Sequence, residues 1–180
     1  MNNGVMTVDK TSAAYQLKII RSARYNLAVA VVFTVLNLVM LLVGSDSYFL
    51  FSSTISYYLT YFGYLFDLFT VSTYTLTGLM LGAIPLLAYG VFWLLSLKND
   101  RWLLPAAVLF AVDTLALVGL ILVTGDILGM ILQIVFHGWV MFSLIRGVIA
   151  GVRLRKLPTE PEQSLEDLPA EPEEVLSEQE

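Results

Sequence analysis

The chain has 180 residues, 57% of them hydrophobic and 14% charged, with a mean hydropathy of +0.76 and a net charge of -5. Soluble domains are about 45–50% apolar and about 25% charged, so this composition argues against an ordinary soluble domain and indicates a membrane protein. No basic patch suited to nucleic acid is present, and the absence of cysteine excludes disulfides and thiolate catalysis.

Residues 1–25 are predicted to form a short basic, amphipathic lead-in. Apolar side chains recur there at helical spacing with Lys18 and Arg21 turned away, and Thr11 or Ser12 is a suitable N-cap. Two interpretations stay open for this segment. It is an interfacial helix docked on anionic lipid, or it is the positive flank that orients the first span.

Four apolar runs are each long enough to cross about 30 Å of hydrocarbon. The sequence therefore predicts an all-α integral membrane protein with four transmembrane helices inside a membrane domain of residues 26–151. The predicted spans are residues 26–44, 76–97, 102–123 and 130–151.

The stretch 45–75, between the first two spans, contains half of the aromatic residues, two acids and no lysine or arginine. Tyrosine prefers the headgroup level, and a further crossing would move Lys98 and Arg101 away from the N-terminal bases. We therefore predict an aromatic interfacial segment that lies flat in, or dips into, the outer interface. An aromatic lid or ligand groove is the alternative to a plain aromatic belt.

Two glycine pairs have the G-x-x-x-G spacing, which lets helices approach closely. Gly78 and Gly82 lie in the second predicted span, and Gly147 and Gly151 lie near the end of the fourth. These four glycines are the predicted helix-packing positions.

The charges are distributed unevenly along the chain. With four spans, all ten lysines and arginines fall on one side, at the N-terminus, in the turn 98–101 and in residues 146–156. This asymmetry predicts a multi-pass plasma-membrane protein with both termini in the cytoplasm. Residues 152–180 are predicted to be a basic stop followed by a disordered tail, because residues 157–180 hold nine acids, four prolines and no aromatic residue.

Two ionisable residues, Asp113 and His137, lie inside the third and fourth predicted spans. Each is twelve positions from Gly125 in the intervening turn, so antiparallel helices would bring both to one depth near the bilayer centre. Hydrocarbon penalises an unpaired charge, so both are predicted to face the bundle interior and to pair. Gln133 and Asn37 are at a similar depth and complete the candidate intramembrane polar cluster.

Two roles for this cluster stay open. It is a structural clasp that specifies helix packing, or a proton or cation relay in a small transporter or channel subunit. An enzyme is not expected, because the sequence has no G-x-S-x-G, H-E-x-x-H or P-loop motif and no serine at the right depth beside the pair. We predict a non-enzymatic membrane protein without cofactor or metal that self-associates or binds a membrane partner.

Residues 34–38 (TVLNL), followed by residues 44–52 (GSDSYFLFS), resemble the start of small uncharacterised multi-pass proteins of Gram-positive (Firmicutes-type) bacteria. The resemblance covers about the first third of the chain. It implies a membrane class and no particular activity.

Overall fold

The computed structural model describes residues 12–45, 52–69 and 74–157. These residues form five α-helices and one 3-10 turn, and no strand occurs among them. The elements are α1 (Ala13–Leu42), α2 (Thr54–Phe69), α3 (Tyr74–Lys98), the 3-10 turn (Asp100–Trp102), α4 (Leu103–Thr124) and α5 (Ile127–Leu154). Four of the helices (α1, α3, α4 with its 3-10 turn, and α5) are long and apolar enough to cross a membrane, which confirms the predicted fold class.

The described part of the lead-in and the first predicted span form one uninterrupted helix, α1. The Ser12 side chain accepts a hydrogen bond from the Tyr15 N–H at 3.3 Å and is the N-cap. Nothing ends the helix near residue 26, because α1 contains no glycine or proline. Its 30 residues extend about 45 Å, well beyond the hydrocarbon thickness, so the predicted boundary at residue 26 is not a structural one. Residues 1–11 lie outside the described residues.

The predicted hairpin of the third and fourth spans is present as α4 and α5. Gly125 ends α4 with a φ of +71°, a left-handed conformation that suits glycine. The Asp126 carboxylate then accepts a hydrogen bond from the Gly129 N–H at 2.8 Å and caps α5. Because of this cap α5 begins at Ile127, three residues before the predicted start of the span.

Gly78 and Gly82 lie where α2 packs against α3. A Cβ on Gly78 would come within 2.8 Å of the Gly63 Cα, and a Cβ on Gly82 within 2.5 Å of the Ser56 carbonyl oxygen. Later residues of α2 thus contact earlier residues of α3, so the two helices are antiparallel and almost in backbone contact.

Gly147 and Gly151 lie where α5 packs closely against α1 and the 3-10 turn. A Cβ on Gly147 would lie 2.5 Å from the Ala23 Cβ of α1, and one on Gly151 would overlap the Asp100 carboxylate. All four predicted packing glycines therefore contact other parts of the same chain.

One end of the bundle carries all the lysines and arginines of the described residues, and we call it the basic end. The start of α1, the 3-10 turn and the end of α5 meet there, and Arg155 forms an ion pair with Asp100. The opposite end contains the end of α1 and the α4–α5 turn. The cations at the basic end are Lys18, Arg21, Arg24, Lys98, Arg101, Arg146, Arg153, Arg155 and Lys156.

Helix α2 carries the predicted aromatic segment and extends from the bundle interior to the opposite end. Thr54 in its first turn is buried against Asp113 in the middle of α4. At its far end Asp67 accepts hydrogen bonds from the N–H groups of Tyr74 and Thr75, both at 2.7 Å. The described part of the segment, α2, therefore dips far into the bundle and does not lie flat. Residues 46–51 and 70–73, and the predicted tail from residue 158, lie outside the described residues.

Asp67 provides a pH-dependent contact between α2 and α3. Hydrogen bonds from the Thr75 side chain, and then from the backbone of Thr75 and Tyr74, lower the pKa of Asp67. A carboxyl whose pKa is lowered by folding stabilises the fold above its unfolded pKa, and this contribution disappears as the pH falls through the folded value. The stability difference between wild type and Asp67→Asn should be constant from about pH 8 to 5 and shrink below about pH 4. Thermal unfolding in detergent across this range measures it, and a difference that grows on acidification would contradict the assignment.

Candidate intramembrane polar site

The Asp113 carboxylate caps the N-terminus of α2. Its Oδ1 accepts hydrogen bonds from the Ser53 hydroxyl at 2.9 Å and the Ile55 N–H at 2.8 Å. Its Oδ2 accepts a third hydrogen bond from the Thr54 N–H at 3.1 Å. The first N–H groups of a helix have no partner within the helix, and a negative charge there is favourable. An acid from α4 thus satisfies a helix end that begins inside the bundle.

Helix α1 holds the residues just before α2. The Thr34 hydroxyl donates to the Ala30 carbonyl at 2.7 Å and accepts from the Ser53 N–H at 2.8 Å. The Asn37 side-chain amide donates to the Ser52 hydroxyl at 2.7 Å. Asn37, the candidate from the first span, therefore reaches the cluster through this segment.

One tautomer of His137 fits the hydrogen bonds formed by its neighbouring side chains. The Thr114 hydroxyl donates its only hydrogen to the Phe110 carbonyl at 2.8 Å, so it accepts from His137 Nδ1 at 3.2 Å. His137 Nε2 lies 3.2 Å from Gln133 Nε2, which also donates to the Ser52 carbonyl at 3.0 Å. A neutral ring with its hydrogen on Nδ1 satisfies all of these contacts, with Nε2 accepting the second amide hydrogen of Gln133.

The predicted pair of Asp113 and His137 is present and buried. His137 Nε2 lies 3.8 Å from Asp113 Oδ2, and the side chains are 1% and 0% exposed. The distance is too long for a direct hydrogen bond, and the Thr54 hydroxyl lies 3.4 Å from the same ring nitrogen. The Phe110 ring covers the imidazole in a stacked arrangement, with centroids 4.9 Å apart.

The structure brings all four candidate residues to one region and adds partners that the sequence analysis did not single out. Ser52, Ser53 and Thr54 supply most of the groups that the cluster binds, and Thr114 orients the imidazole. Three consecutive hydroxyl residues before an apolar run are an N-cap signal, which could have marked the start of α2. The signal does not reveal that this start is buried beside α4.

Some buried polar atoms near the cluster have no hydrogen-bond partner within residues 12–45, 52–69 and 74–157. These atoms are Gln133 Oε1, the Ser56 hydroxyl and the Tyr89 hydroxyl. A cavity of about 10 Å³, lined in part by Ser52, Thr54 and Gln133, adjoins the cluster and is about large enough for one water. In the same described ranges no three His, Asp or Glu side chains gather as metal ligands would.

A larger cavity approaches the cluster from the opposite end of the bundle. It has a volume of about 410 Å³, and four tyrosines of α2 line it together with the end of α1. Tyr57 and Tyr58 line both this cavity and the small one beside Gln133. Toward the basic end, the cluster is instead covered by a packed apolar core that includes Leu27, Phe110 and Val140.

We expect Asp113 and His137 to be energetically coupled, because both contact Thr54 and each lies in the electrostatic field of the other. In a double-mutant cycle, the stability loss of the double variant should differ from the sum of the losses of Asp113→Asn and His137→Gln by about 0.5–3 kcal/mol. Equilibrium unfolding of the wild type, the two single variants and the double variant measures this coupling. Simple additivity would contradict any shared role for the pair.

No family model, no curated protein and no solved structure matches the chain. The resemblance to small multi-pass proteins of Gram-positive bacteria stays a prediction.

Proposed function

We propose that this chain is a non-enzymatic membrane protein in which the polar cluster acts as a structural clasp. The observation that carries the proposal is the capping of α2 by Asp113, whose two oxygens accept three hydrogen bonds from the first turn of that helix and the residue before it. A carboxylate engaged in this way holds the backbone at the start of α2 in place.

The bilayer explains why such a clasp is needed. Hydrocarbon offers no water to a helix end, so a helix that begins at membrane depth is tolerated only where protein groups satisfy its N–H groups. Without the clasp, the start of α2 would expose those groups to an apolar surrounding. The clasp thus holds the α2–α3 hairpin in place on the rest of the bundle.

The proposed partner of this scaffold is another membrane segment, from a second copy or a different protein. An open apolar groove of about 380 Å³ runs between α2 and α4 and supports this proposal. Leu59 and Phe62 border it on α2, and Ala116 and Gly119 leave room on α4. The clasp would keep the two sides of this groove at a constant separation.

Proteoliposomes containing the purified protein test the clasp. A clasp predicts no proton or cation flux above that of empty vesicles, and nearly constant thermal stability between about pH 5 and 8. Asp113→Asn should lower stability without changing flux. A pH-dependent flux in the wild type that disappears in Asp113→Asn would overturn the clasp.

The second candidate is a proton or cation relay, favoured by the cavity that reaches the cluster. A proton arriving at His137 Nε2 would meet the Gln133 N–H, so the amide would have to turn and present its unpartnered oxygen. Proton uptake would then break the hydrogen bond from Gln133 to the Ser52 carbonyl and loosen the start of α2. A relay therefore predicts proton flux that His137→Gln abolishes.

We infer a plasma-membrane location with the basic end in the cytoplasm, supported by the positive-inside rule. The chain has no cysteine, so each introduced cysteine is the only thiol. In intact spheroplasts an impermeant maleimide should label Asp126→Cys, and label Lys98→Cys and Lys156→Cys only after permeabilisation. The reverse pattern would contradict this orientation.

A further inference from the structure

A cavity of about 300 Å³ lies between α1 and α5 at the basic end. Lys18 of α1 and Arg146 of α5 line it from opposite sides, and the Arg146 guanidinium lies over the Phe142 ring, 5.4 Å from its centroid. Trp139 continues the lining toward the bundle centre, about 10 Å deeper along α5 than Arg146.

No acidic residue within the described ranges lines this cavity. Among the described residues, Asp100 is the only acid at the basic end, and it forms an ion pair with Arg155. Neither Lys18 nor Arg146 forms a salt bridge within the described ranges. Two cations that face one cavity without an acid favour an anionic ligand.

The cavity changes from polar to apolar with depth. Asn26 donates a hydrogen bond to the Ser143 hydroxyl at 2.7 Å, which ties α1 to α5 along the cavity. Trp139 and Phe142 are 66% and 61% exposed, so their rings are open to an apolar ligand. Cations at headgroup level above exposed aromatic rings match a phospholipid, whose phosphate and acyl chains need these two environments.

We propose that this cavity binds one anionic phospholipid from the leaflet at the basic end. The lipid phosphate lies between Lys18 and Arg146, and its acyl chains run along Phe142 and Trp139. The site is separate from the polar cluster, so it stands whether the cluster is a clasp or a relay.

Native mass spectrometry of the full chain in detergent tests the site with short-chain phosphatidylglycerol and phosphatidylcholine. We expect the wild type to bind phosphatidylglycerol at least about tenfold more tightly. The double variant Lys18→Gln, Arg146→Gln should lose this preference. The matched control Arg153→Gln, Lys156→Gln removes the same charge from residues that do not line the cavity, and it should keep most of the preference.

Three results would overturn the proposal. Equal binding of both lipids by the wild type would show no anionic selectivity, and an equal loss in the control would show a diffuse surface attraction. Competition by inorganic phosphate as effective as that by phosphatidylglycerol would assign a free-phosphate site. If the double variant does not fold, Lys18→Gln alone, at an exposed position, should still weaken phosphatidylglycerol binding several-fold, and unchanged binding would also overturn the proposal.

Discussion

Asp113→Ala is expected to reduce the free energy of unfolding by about 3 kcal/mol or more. The substitution leaves the Ser53 hydroxyl and the N–H groups of Thr54 and Ile55 buried without their acceptor. Each unsatisfied buried donor costs about 1–3 kcal/mol. Equilibrium unfolding in mixed micelles measures the loss.

Asp126→Ala is the matched control for this prediction. Asp126 also caps a helix, but its bond to the Gly129 N–H is exposed, so its loss should cost about 1 kcal/mol. Asp113→Asn keeps one acceptor oxygen, so its loss in the free energy of unfolding should lie between the losses of the two alanine variants. Equal losses in Asp113→Ala and Asp126→Ala would show that burial of the Asp113 cap has no energetic consequence.

Gly78→Ala is expected to destabilise the protein by about 1–3 kcal/mol by forcing α2 away from α3. The new Cβ would lie 2.8 Å from both the Gly63 Cα and the Leu59 carbonyl oxygen. Both atoms belong to the backbone and cannot rotate away, so the helices themselves must separate. The displacement would also pull α2 away from Asp113, because the cap and the glycine contact belong to the same helix.

Gly90→Ala in the same helix α3 is the control. Apart from the adjacent backbone of α3, no atom of the described residues lies within 4 Å of a Cβ built on Gly90, so the variant should be neutral or more stable by up to about 1 kcal/mol. Thermal unfolding of the two variants side by side measures the difference. A tolerated Gly78→Ala would contradict the close approach of α2 and α3.

The sequence by itself determined the membrane class, the four spans and the basic end. These features depend on the length of apolar runs and on where cations fall, which are local properties of the chain. The predicted boundaries of the second and third spans differ from helices α3 and α4 by at most two residues. The pairing of Asp113 with His137 followed as well, because a short turn and equal distances from Gly125 place both at one depth in neighbouring helices.

The tertiary structure alone decided where α2 begins and which groups hold it. Asp113 binds residues 58 to 60 positions earlier in the chain, and no local pattern encodes such a contact. The tyrosines of 45–75 indicated an interface, and Tyr58, Tyr61 and Tyr64 lie in the part of α2 beyond its first turn. The buried first turn became possible only when α1, α4 and α5 together supplied partners for its backbone, because hydrocarbon penalises every N–H group that lacks one.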